Sequence, residues 1–137
     1  MSQLTLTLAI ARDLIDQATA YATQNFKKPV CVSICDATGL LLAFVRMDGA
    51  PVRSVAISQG KAYSAARMGV TTQAVLERLH REHIEIGYFC DPLLTALPGG
   101  SPLKDKDGVL RGAIGVSGLT SAEDQQVTDF IASKFAA

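Results

Sequence analysis

The 137-residue chain has no tryptophan, two histidines, three cysteines and only 6% aromatic residues. Three cysteines are an odd number without paired metal-ligand spacing, which argues against a secreted disulfide framework. Cys31 and Cys35 have the same parity in a predicted strand, so they share a face about 13 Å apart, too far to bridge. With Cys90 they read as small thiols of a reducing compartment, and the protein is expected to be cytoplasmic. No apolar run approaches the roughly eighteen residues of a membrane span, and the stretch Met1 to Ala11 lacks the basic start of a signal peptide. An excess of either charge is missing as well. Thirteen Lys and Arg balance thirteen Asp and Glu, so nothing predicts a nucleic-acid or anionic-membrane partner.

What is present describes a compact globule: 48% hydrophobic residues, 19% charged, mean hydropathy +0.23. A chain of this size buries roughly two-thirds of its unfolded surface, and without repeats or linkers residues 1–137 read as a single domain. Ala11, Leu14, Ile15, Ala18 and Ala22 recur at three-and-four spacing, predicting a helix from Thr7 to Asn25 that Pro29 stops. Val30, Val32 and Ile34 then alternate with smaller residues, and Asp36-Ala37-Thr38-Gly39 turns the chain into a second strand, Leu40 to Arg46. Helical spacing returns from Val52 to Gly69, and again from Thr71 or Thr72 to a stop at Gly87. Tyr88 to Gly100 shows no clear period. A second hairpin follows, with Leu103-Lys104 and Val109 to Val116 around Asp105-Lys106-Asp107-Gly108, and Thr120-Ser121-Ala122-Glu123 is a capping box opening the last helix. Hairpins and grouped helices make the class α+β.

Several residues could carry chemistry. Arg46 and Asp48 stand together at a turn into a helix, where Asp48 is placed to cap that helix or hold Arg46, and a fixed arginine can fork onto a carboxylate. Lys61 lies among small residues; pointing to the sheet it would be a desolvated amine, pointing outward a solvated charge, and the residues alone favour the surface. Gly99-Gly100 could present consecutive N–H groups to an anion, as nests do. Gly112, Gly115 and Gly118 bare both faces of a strand for close approach. His80 and His83, three apart on one helix, are the only imidazoles for a metal or heme iron, though their charged neighbours suggest a solvated face. No G-x-S-x-G elbow or H-E-x-x-H pair is present.

Arg46-Met47-Asp48-Gly49-Ala50, Lys61-Ala62-Tyr63-Ser64-Ala65, Pro98-Gly99-Gly100-Ser101-Pro102-Leu103 and Gly112-Ala113-Ile114-Gly115-Val116-Ser117-Gly118 resemble, in order and spacing, the GlcG/HbpS or heme-degrading domain family. The leading Leu4-Thr5-Leu6 is similar too. The resemblance implies a profilin-like α+β fold, an antiparallel sheet of about five strands flanked by helices, and homo-oligomers. It also implies a cytosolic small-molecule-binding protein whose ligand is heme, another tetrapyrrole or a different carboxylate-bearing molecule. Arg46, Asp48, Lys61, Gly99 and Gly100 would line the pocket. Members of the family also form the C-terminal domain of a class of cobalamin adenosyltransferases or are encoded near glycolate, glycerol or diol metabolism. The alternatives are therefore an enzyme on a small hydroxy or keto acid, with Lys61 as base or amine and Arg46 as clamp, or an accessory module of a cobalamin-linked glycerol or diol pathway. Two departures stand out: the helix Thr7 to Asn25 has no histidine, where a first-helix heme ligand has been proposed in relatives, and Ile84 to Ala96 replaces a glycine-rich segment.

Overall fold

The structure is a computed structural model describing residues 6–137; Leu4 and Thr5 of the leading motif lie outside the described residues. Helix α1 (Leu8–Phe26) buries the predicted stripe of Ala11, Leu14, Ile15, Ala18 and Ala22, and the Thr7 hydroxyl caps it by accepting the Ile10 N–H at 3.2 Å. Strands β1 (Cys31–Asp36) and β2 (Leu41–Arg46) form the first hairpin. Its turn is held by Asp36 Oδ1, which accepts from the backbone of Thr38 and Leu40. Helices α2 (Ser54–Met68) and α3 (Thr72–Glu82) follow, then a 3-10 turn (Ile86–Phe89), strands β3 (Gly100–Lys104) and β4 (Leu110–Ser117), and helix α4 (Ser121–Ala136). The sheet runs β2-β1-β4-β3 with every neighbouring pair antiparallel, so the α+β class is borne out.

Two expectations are corrected. The sheet has four strands among the described residues rather than about five, because Asp91, Pro92 and Pro98 break the 88–99 stretch into turns that cannot complete a ladder. Helix α3 ends at Glu82 and not at Gly87: His83 takes the left-handed conformation, φ 55°, and donates its backbone N–H to Leu79.

The elements stack in three layers. On one face of the sheet Val30, Val32, Ile34, Leu103, Ile114 and Val116 meet the buried stripes of α1 and α4 in the main core. On the other face α2 lies against β1, β4 and β3 through small residues, with Cys35, Ala62, Ala65, Ala66 and Ala113 forming a second cluster. Polar atoms stitch this second contact. Ser54 and Ser117 meet at 3.1 Å, Ser58 and Ser33 at 2.8 Å, and the Cys35 thiol donates to the Ala62 carbonyl at 3.4 Å.

The capping box of α4 forms as predicted, Thr120 Oγ1 accepting the Glu123 N–H and Glu123 Oε1 accepting the Thr120 N–H. Thr120→Ala is expected to lower stability by about 1 kcal/mol, read as a shift of the urea midpoint at unchanged slope. An unmoved midpoint would show that the helix start is held by its tertiary contacts alone.

Candidate functional site

Lys61 is not on the surface. It projects from α2 toward the sheet and is 2% exposed, the bulkiest of the fully buried side chains. Its Nζ donates to the Val116 carbonyl at 2.9 Å and to Asp124 Oδ2, in the first turn of α4, at 3.0 Å. The other Asp124 oxygen accepts the Leu119 N–H at 3.1 Å. Burial pulls the Lys61 amine below its ordinary value and pushes the Asp124 carboxyl above its own, each partner opposing the other's shift.

The glycine pair makes room for this ion pair. A Cβ on Gly99, whose φ is 126°, would sit 2.7 Å from Lys61 Nζ and 2.8 Å from the Asp124 Cβ; one on Gly100 would run into the Lys61 carbonyl. Their amides face inward. Gly99 donates to Gln125 Oε1 at 2.7 Å and Gly100 to Thr72 Oγ1 at 2.9 Å, so the expected anion nest is not formed: both N–H groups already have acceptors. Gln125 Nε2 continues the network to the Gly100 carbonyl and Asp129.

Above the pair, between the first turns of α2 and α4, opens a cleft of about 180 Å³ lined by Arg53, Ser54, Lys61, Ser117, Ser121 and Asp124. Lys61 has three N–H groups, and the protein provides acceptors for two among the described residues. Arg53 stands exposed at the rim, with no ion pair among the described residues. The cleft therefore carries one charge beyond the balanced pair. Sequence reading missed Arg53, although a signal was there: a cation at the start of a helix sits against the positive end of the macrodipole, a placement that local energetics disfavour.

The remaining predicted residues are dispersed. Arg46 and Asp48 are exposed and do not line this cleft. Arg46 ends the cross-strand row Arg46–Cys31–Ser117, two strands and about 10 Å from the Ser117 wall, and shares its face. Asp48 neither caps α2, which begins at Ser54 without a side-chain cap, nor pairs with Arg46. His80 and His83 are exposed on the far end of α3, and no cluster of three metal-ligating residues occurs among the described residues.

A second, larger cleft of about 490 Å³ opens along the Ala56–Tyr63 stretch of α2, between the β1–β2 turn and the Pro92-Leu93 turn. Its walls are largely apolar, with Leu40, Leu41 and Leu93 more than half exposed at the rim. Gln59 and Tyr63 are the polar side chains of its α2 wall; the Tyr63 phenol donates to Asp91 Oδ2 at 2.7 Å, and the Arg67 guanidinium lies 5.0 Å from the ring centre. The bond to Asp91 is the chief reason the Tyr63 phenol holds its proton more tightly than usual and Asp91 holds one less tightly. Cys35, at the cleft floor, is inert as a nucleophile because burial pushes its thiol up to about 12.

Comparison with known proteins places this architecture. The Escherichia coli K12 protein GlcG is 39% identical over 88 residues, 64% of this chain and 63% of that protein, less than two thirds of its length. The crystal structure of Klebsiella pneumoniae protein ORFY superposes with a TM-score of 0.86 at 28% identity, covering 98% of this chain and 94% of that one. A crystal structure described as a PduOC:heme complex superposes with a TM-score of 0.83 at 25% identity, covering 93% of each chain. The family profile described as "Haem degrading protein HbpS-like" matches residues 6–131. A match of that extent, on a fold shared nearly end to end with ORFY, means that the chain belongs to the HbpS-like family.

Proposed function

We propose that this protein binds a small carboxylate-bearing molecule in the cleft over Lys61. The observation that carries the reading is a buried lysine with acceptors for two of its three N–H groups among the described residues, lining one cleft with Arg53, whose guanidinium has no ion pair among those residues. A carboxylate there accepts from Lys61 with one oxygen and takes the Arg53 fork at the rim. Gly99 and Gly100 keep the floor open for the lysine, and Arg46 stands farther along the same face, where a longer ligand with a second acidic group would reach. A volume of about 180 Å³ suits a short hydroxy or keto acid. Arg53→Ala is expected to weaken binding at least tenfold, since a hydrogen bond to a charged group contributes about 1.5–3 kcal/mol. Calorimetric titration with a series of two- to four-carbon hydroxy and keto acids tests this. Absence of saturable binding by every acid, or equal affinities in wild type and Arg53→Ala, overturns the reading.

Heme is the second ligand we propose. Support comes from the family description and from the likeness to a protein crystallised with heme, and assembly into homo-oligomers belongs to the same reading. A macrocycle needs a larger seat than the Lys61 cleft, because pockets that enclose ligands of that size start at about 300 Å³. Titration of ferric hemin into the protein, followed at the Soret band, should saturate at one heme per chain; a linear, non-saturating response removes heme as a ligand.

A further inference from the structure

We infer that the cleft at the β1–β2 turn is a heme site in which Tyr63 supplies the iron ligand, Asp91 takes the phenol proton and Arg67 meets a propionate. The inference rests on the heme reading above and goes beyond it by naming seat and ligand. Three observations lead here. The cleft has about 490 Å³, inside the range of sites that enclose a ligand, and its mouth is ringed by Leu40, Leu41 and Leu93, an apolar exposure that a planar apolar macrocycle covers. The donor set suits ferric iron: a phenolate oxygen is an established heme ligand, whereas both histidines lie exposed on α3, outside this cleft. Finally, the charges are placed for both ends of such a ligand. Tyr63 already donates to Asp91 at 2.7 Å, so when its oxygen lone pair binds Fe(III) the O–H bond breaks and the proton passes to the carboxylate, with no change of oxidation state. Arg67 has no carboxylate partner among the described residues and lies against Tyr63, where an anionic arm leaving the cleft meets it.

The experiment is a titration of ferric hemin into the full chain, followed by absorption and by resonance Raman excited in the phenolate-to-iron charge-transfer band. Wild type is expected to show that band and an Fe–O(phenolate) mode. Tyr63→Phe, which keeps the ring packed against Gly39, should lose both and bind hemin at least tenfold more weakly with an unchanged far-UV spectrum. Tyr63→His should restore uptake with an imidazole-type spectrum, so the assignment stays testable even if the phenylalanine variant folds poorly. Lys106→Ala, which removes an exposed cation in the turn between β3 and β4, should leave hemin affinity within twofold. Saturable hemin uptake whose spectrum and affinity survive Tyr63→Phe overturns this site and leaves heme binding standing. Failure of wild type to take up hemin overturns heme binding itself, and this site with it.

Discussion

Lys61→Met is expected to lower the stability of the protein by about 3–5 kcal/mol, the usual loss when one member of a buried ion pair is removed. Asp124 would then remain 2% exposed with a carboxylate facing an apolar side chain, keeping only the Leu119 N–H of its present partners. The Val116 carbonyl would lose its lysine donor as well, though it sits in the ladder end where β4 meets the 99–100 turn. Methionine matches the lysine stem in length, so the loss reports charge and hydrogen bonding more than packing. The second arm of the test is Lys61→Met/Asp124→Asn: an asparagine keeps an acceptor for Leu119 without the stranded charge, and most of the lost stability should return. Urea denaturation of the three proteins decides the matter. A single variant within 1 kcal/mol of wild type would mean that Asp124 simply takes up a proton and that the pair matters little to the fold.

Gly115→Ala should cost about 3 kcal/mol, at the upper end of what overpacking does. The added methyl meets the Ser58 carbonyl, and lies 2.6 Å from the Ala62 amide nitrogen, both in the backbone of α2. Side chains can turn away from such a contact; a helix backbone cannot, so α2 must lift off the sheet and take Lys61 with it. Gly87→Ala is the matched control. Nothing lies within 4 Å of a Cβ there, and the change should stay within about 0.5 kcal/mol of wild type. Equal stabilities for the two alanine variants would show that α2 is free to shift against the sheet.

These two sites also mark where the sequence was legible and where it was not. Period together with turn and cap chemistry located α1, both hairpins and the start of α4, because the stripe Ala11 to Ala22 and the Thr120–Glu123 box are determined by residues within a few turns of one another. The glycines of β4 declared a close approach, and α2 is what approaches. Lys61 was misread because nothing local distinguishes a buried lysine: its partner Asp124 is 63 residues away, and only the completed sheet brings them together. The stretch after α3 resisted for a related reason. It is shaped by tertiary bonds, Tyr63 to Asp91 and Thr95 to Ser64, with no periodic pattern of its own. Of the residues expected to share a pocket, Lys61 lines the cleft and Gly99 and Gly100 pack against it, while Arg46 and Asp48 lie beyond it and Arg53 takes the rim.

The seam between α2 and the sheet has a further consequence. Ser54, Ser58 and Ala62 face the Ser117–Cys31 row, Ser33 and Cys35 in turn, so steps of four helical residues are matched to steps of two strand residues. Those steps measure about 6.0 Å and 6.8 Å, nearly commensurate over the length of the contact. Two lattices with almost equal spacing behave as a vernier with one coincidence position. A slip of α2 by a single residue puts all three contacts out of phase at once, and a slip by a whole turn carries the Lys61 amine about 6 Å from Asp124. The helix that builds both clefts is thereby fixed along its axis before any ligand arrives.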